Sequence, residues 1–283
     1  WTEDGSPLII YSKKVLEKVK QKTSVPTYLA MRYGKPSIEH TLLDIVKNHP
    51  KMEKLFIIPL YPQYAMSTTK TVIEKVKEQL IKHNITTKTD TFPAFYNEPN
   101  YLKNLETSMK EYLNAPYDHL IFSFHGLPER HLKKTDPTQS HCLKKANCCE
   151  MPSPAHETCY CHQCKWVANT MIDRLNIPPE KTTIAFQSRL GIDPWLKPAT
   201  KNVILELAKQ NKKRLLVACP AFVSDCLETL EEIQIGLEEE FIEAGGEKLQ
   251  LIPCLNDNDD WCQTVANWIT DYKNGRLEVT NIQ

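Results

Sequence analysis

His119-Leu120-Ile121-Phe122-Ser123-Phe124-His125-Gly126-Leu127-Pro128 is a strand-sized apolar run that ends in an imidazole and a Gly-x-Pro turn. Outward from it, similar runs recur at 25–32, 55–60, 87–92, 182–187, 214–219 and 248–253. Between them, 37–48, 68–82, 101–113, 166–175, 199–210, 224–244 and 260–273 place apolar residues at three-four spacing, as one helix face requires. Strands alternating with helices on this scale predict βα units and parallel sheets. Seven strands are too many for one small doubly wound sheet, and Asn114-Ala115-Pro116-Tyr117 reads as a hinge. The expected fold is therefore α/β, with two Rossmann-like lobes, 1–115 and 116–283, and a cleft between them. The last helix is expected to pack back on the first lobe.

The 283 residues suffice for two domains with real cores. Lys plus Arg and Asp plus Glu are 35 each, so no basic field argues for nucleic acid or an anionic surface. No apolar window reaches the roughly 18 residues of a spanning helix. The sequence opens on Trp1 rather than Met, with 1–7 reading as a turn and no leader pattern, which suggests a truncation at this end.

In open parallel sheets, ligands collect beyond the carboxyl ends of strands, and three ends here are chemically unusual. His125 can take a proton near neutral pH or bind a metal, although a histidine after a strand is more often a structural hydrogen-bonding residue. Phe186-Gln187-Ser188-Arg189, followed by Pro194-Trp195-Leu196, offers polar groups and an indole to a flat ligand; Trp195 could equally be core. Cys219-Pro220-Ala221-Phe222 leads into Asp225-Cys226-Leu227-Glu228-Thr229-Leu230-Glu231-Glu232. There Glu228 and Glu232, four apart, stack two carboxylates on one helix face, although most such runs are simply solvated.

These three segments, in this order, resemble the signatures of the ferrochelatase family. Gly5-Ser6-Pro7-Leu8, Ala30-Met31-Arg32-Tyr33 and Leu60-Tyr61-Pro62-Gln63-Tyr64 with Ser67-Thr68-Thr69 extend the likeness over nearly the whole chain. The resemblance implies insertion of ferrous iron into protoporphyrin IX, the terminal step of haem synthesis, in the cleft between the lobes. It implies His125 and Glu228 as the catalytic pair, with His125 as proton acceptor and Glu228 and Glu232 on the iron side. Tyr33, Trp195 and Phe222 would line the porphyrin cleft with Ser188 and Arg189, while Asp225 orients its neighbours. Gly236 stands where some members carry a further carboxylate, so a third acidic step is not expected. Members carry roughly sixty to seventy residues ahead of this point, about half a lobe, with a first strand and a lip over the porphyrin through which they often dock on membranes. Without them this stretch alone is expected to lack a wall of the cleft. The expected location is cytoplasmic, with peripheral membrane contact.

Six of the ten cysteines lie between Cys142 and Cys164, inside the one long stretch without periodicity, 133–164. Clustered thiols favour a metal centre in a reducing compartment over a disulfide framework. Four thiolates suit either tetrahedral zinc or a [2Fe–2S] cluster, and spacing alone separates these poorly. The resemblance favours the cluster, since one group of bacterial members carries a [2Fe–2S]-binding insertion here. Its implied ligands are Cys142, Cys149, Cys159 and Cys164, with Cys148 or Cys161 as substitutes. Rival readings are a coproporphyrin III ferrochelatase, a cobalt chelatase, a non-catalytic metal- or haem-binding module, and a two-lobed periplasmic-type receptor, which the free thiols disfavour.

Overall fold

The computed structural model describes residues 5–282. The chain opens with α1 (Pro7–Lys22), α2 (Ile38–Asn48) and β1 (Lys54–Ile57), then a π-helical turn, Met66–Lys70, running into α3 (Thr71–Lys82). β2 (Lys88–Thr91) and α4 (Pro99–Leu113) follow. The helix starts carry local signals: Pro7 and Pro99 occupy first turns, where a missing N–H costs nothing, and Ser37 accepts a hydrogen bond from the His40 amide.

The second half contains β3 (His119–His125), α5 (Glu129–Thr135), α6 (Tyr160–Arg174), β4 (Thr182–Gln187), α7 (Thr200–Lys209) and β5 (Arg214–Ala218). A continuous helical rod then runs from α8 (Leu227–Thr229) through a π-helical stretch, Leu230–Leu237, into α9 (Glu238–Glu243). β6 (Lys248–Ile252), α10 (Asp259–Lys273) and the short β7 (Thr280–Asn281) complete the chain.

Two sheets result. One has the order β4-β3-β5-β6 and is parallel throughout; the other is β1-β2-β7, with β1 and β2 parallel and β7 antiparallel to β2. Strand periodicity explains why β3 sits at the centre of the larger sheet. Leu120, Phe122 and Phe124 enter the core shared with α4, α6 and α10, whereas Ile121 enters the one beneath α7, the π-helical stretch and α9. Both faces are thus covered, as parallel sheets require. Each such side chain contributes about 1.5–3 kcal/mol by leaving water. α10 packs on α1 and α4, so the C-terminal segment returns to the first sheet, where Ile282 is buried against α2 and α3.

Three expectations are corrected. The run 25–32 is extended but is not a strand: Pro26 lacks an amide, the Val25 amide bonds to Thr23 Oγ1, and only Met31 makes a bridge, to Ser37. The turn read at 1–7 gives way to helix at Pro7, where α1 begins and goes on to bury Val15 and Val19; positions 1–4 of that reading lie outside the described residues. The long helix expected at 224–244 starts at Leu227 and is π-helical in its middle, a difference that three-four spacing cannot reveal. Among the described residues, no helix is long and apolar enough to cross a membrane.

Candidate active site

A cleft of 1050 Å³ opens between the ends of β1, β3 and β5. His125, the last residue of β3, and Glu228, in the first turn of α8, both line it. The imidazole Nδ1 lies 2.7 Å from the carbonyl oxygen of Gly126. A carbonyl only accepts, so Nδ1 carries the proton and Nε2 keeps its lone pair. Phe222 stands edge-on to this ring at 6.4 Å and also lines the cleft.

The glycine after the histidine has a steric reason. The Gly126 amide donates to the Gln187 carbonyl at 2.8 Å, and a Cβ at 126 would lie 2.7 Å from that oxygen and 3.1 Å from the Trp195 ring. Backbone cannot yield as a flexible side chain can. Gly126→Ala is therefore expected to cost about 1–3 kcal/mol of stability and to displace His125; a denaturant melt paired with a turnover assay checks it, and an unchanged midpoint would refute it.

Gln187, 3% exposed, gathers the three strand ends. Its Nε2 donates to the Glu228 carbonyl at 2.7 Å, and its Oε1 accepts from Ser123 Oγ at 2.7 Å and from Cys219 Sγ at 3.6 Å. Asp225 is buried under the start of α8 and does not line the cleft. It accepts from Thr229 Oγ1 at 2.9 Å and from Asn256 Nδ2 at 2.6 Å, and so sets the direction of the turn that carries Glu228. Cys226, beside it, does face the cleft, and burial followed by the charge of Glu228 pushes its thiol well up.

The remaining expected site residues lie elsewhere. Glu232 spends both carboxylate oxygens on Ser188, accepting its amide at 2.8 Å and its hydroxyl. That contact holds Ser188 at φ 62°, a left-handed conformation that turns the following loop. Trp195 and Arg189 line a separate cavity of 620 Å³ behind Gly126. Tyr33 is 71% exposed under the Arg32 guanidinium, 4.5 Å from its ring centre. Conversely, Arg32, Tyr61, Gln63, Thr68 and Tyr160 line the cleft. Burial raises the Tyr61 phenol above its ordinary value, and the buried Thr68 hydroxyl has no hydrogen-bond partner among the described residues. Tyr61 and Gln63 stand in a quoted motif, but nothing local in sequence says that they face His125.

The cysteine-rich stretch is ordered by polar contacts together with burial of Cys142, Ala155 and Cys159 in the core. Asp136 accepts the amides of His141 at 2.8 Å and Cys142 at 2.9 Å, and the Thr138 hydroxyl at 2.7 Å. Burial opposes its charge, but these donors outweigh it and hold the carboxyl well below the usual range. His141 and His156 both donate to the Cys148 carbonyl, at 2.6 and 2.9 Å, and His162 donates to that of Cys149 at 2.7 Å. The thiols of Cys159 and Cys161 donate to Cys149, which draws its thiol far down, and Cys142 reaches Cys159. The Cys164 thiol is fully buried against the Tyr160 hydroxyl.

All ten cysteines are free of disulfides. Among the described residues, no three His, Cys, Asp or Glu side chains are disposed around one metal ion. The stretch gathers six thiols, with Cys149 at the centre of their contacts, and so offers more than the four soft donors a two-iron centre takes. The donor chemistry of this stretch fits such a cluster.

The family model for ferrochelatase matches residues 2–273. A ferrochelatase of Ectopseudomonas mendocina (strain ymp) is 49% identical over 263 residues, 92% of this chain and 76% of that protein. One from Opitutus terrae is 43% identical over 94% of this chain and 77% of that protein. Among solved structures, SirB from Bacillus subtilis with Fe3+ superposes with a TM-score of 0.61 at 14% identity, covering 99% of this chain and 96% of that one. A sirohydrochlorin chelatase SirB from the subspecies spizizenii, in complex with cobalt, gives 0.58 at 13%, covering 94% and 89%. These structures share the two-lobed chelatase fold. With a family match over residues 2–273 and relatives near half identity, the chain belongs to the ferrochelatase family, the metal-inserting enzymes that place iron in protoporphyrin to make haem.

Proposed function

We propose that His125 is the proton acceptor of iron insertion and Glu228 the carboxylate that presents the iron. One observation carries this reading: the free Nε2 of His125 and the Glu228 side chain open into the same cleft, while the other imidazole nitrogen is committed to Gly126. Insertion exchanges one ferrous ion for two pyrrole protons, so the overall charge balances without electron transfer. A neutral imidazole with an exposed lone pair can take each proton in turn and release it to solvent. A carboxylate can replace water on the iron without adding a proton of its own.

Glu232, engaged with Ser188, serves here to fasten the 188–195 loop instead of holding iron. Phe222 and Tyr61 supply aromatic walls for the macrocycle, and Arg32 a cation for its carboxylates. Cys142, Cys149, Cys159 and Cys164 hold a [2Fe–2S] cluster, with Cys148 and Cys161 as the alternates. When bound, the cluster supplies cross-links that tie the 136–164 stretch together.

Ferrous iron and protoporphyrin, assayed without oxygen on the full-length protein, test the assignment. Glu228→Gln should lose at least about tenfold in kcat/KM for iron, or about 1.4 kcal/mol, with porphyrin affinity retained. Unchanged iron kinetics would remove Glu228 from the iron side.

A further inference from the structure

The first turns of α6 join the cysteine stretch to both walls of the cleft. Tyr160, 6% exposed, donates its hydroxyl to the backbone carbonyl of His125 at 2.9 Å. One turn on, the fully buried Gln163 accepts the amide of Tyr64 at 2.7 Å through Oε1. Its Nε2 donates to the carbonyls of His156 at 3.1 Å and Glu157 at 2.9 Å, inside the cysteine stretch. Tyr64 belongs to the 61–64 loop, whose Gln63 crosses to the carbonyl of Pro220 on the opposite wall at 3.3 Å. Cys159, whose sulfur accepts the His162 amide, caps this same helix, and Cys161 and Cys164 lie within it.

We propose that Tyr160 and Gln163 are positioning residues for iron insertion, holding the His125 backbone and the 61–64 loop at a spacing set by the thiol centre at the start of α6. The part played by Tyr160 rests on the reading of His125 as the base. Losing its hydroxyl frees the His125 carbonyl, one peptide before the Gly126 carbonyl that accepts from the imidazole Nδ1.

The test uses the full-length protein as purified, with His125→Ala as reference. Tyr160→Phe, which keeps the packed ring, should lower kcat about tenfold with porphyrin affinity unchanged. Cys159→Ser keeps a good helix cap but removes the thiol. It should lower kcat in the wild-type background and add nothing in a Tyr160→Phe, Gln163→Met background. Hydrogen exchange, read on the intact protein before and after chelator treatment, should show faster exchange at 61–66 and 123–127 once the thiol centre is stripped, whether or not any variant folds. Wild-type kcat in Tyr160→Phe, full additivity with Cys159→Ser, or unchanged exchange after stripping would overturn the proposal. Retained turnover in His125→Ala would instead defeat the base assignment and leave the Gln163 arm to stand on the exchange result.

Discussion

His125→Ala is expected to lower kcat by about 10²–10⁴-fold, the range for loss of a positioned base, while protoporphyrin still quenches the protein's fluorescence with nearly wild-type affinity. The imidazole contributes little wall area compared with Phe222 and Tyr61, so binding of the macrocycle survives its removal. What is lost is the only ring nitrogen that the geometry leaves free to accept a proton, since Nδ1 is bound to the Gly126 carbonyl. Single-turnover mixing of ferrous iron with the porphyrin-loaded protein separates the two effects: binding persists and metallation stops. Turnover within tenfold of wild type would show that the protons leave by another route.

Cys149→Ser should empty the thiol centre. Cys149 is the hub of the stretch: it receives the thiols of Cys159 and Cys161, and its carbonyl is pinned by His162. A serine hydroxyl fits the space but does not ionise near neutral pH, so it offers a hard, protonated oxygen where a soft thiolate stood. Protein purified without oxygen should fall from about two irons and two sulfides per chain, as a Cys₄-ligated [2Fe–2S] cluster requires, to none, and lose its visible charge-transfer absorption. Cys262→Ser, in the buried face of α10 away from this stretch, should keep both. Zinc in place of iron in the wild-type protein, or iron unchanged in Cys149→Ser, would refute the cluster.

Much of the fold was legible because its signals are local. The apolar run ending at His125 and the alternation of strand and helix needed only periodicity, and β3, β4, β5 and β6 lie where that pattern puts them. The failures share a cause in distant partners. Residues 25–32 have strand composition but, among the described residues, only the single Met31–Ser37 bridge, and β7 is a two-residue strand that exists only because β2 offers an edge. The π-helical register of Leu230–Leu237 depends on hydrogen bonds one residue longer than the period suggests.

The site divides in the same way. Residue chemistry and strand-end position, both properties of the chain itself, were enough to make His125 and the Glu228–Glu232 pair candidates and to collect the thiols; the choice of Glu228 came from the family resemblance. Which neighbours share the cleft depends on contacts between residues far apart in sequence: Gln187 reaching Glu228, Glu232 turning to Ser188, Tyr160 reaching back 35 positions to His125. Hydrogen bonds across such separations leave no period in the sequence, so only the packed chain decides that Trp195 lies behind Gly126 while Tyr61, Gln63 and Tyr160 face the same cleft as His125.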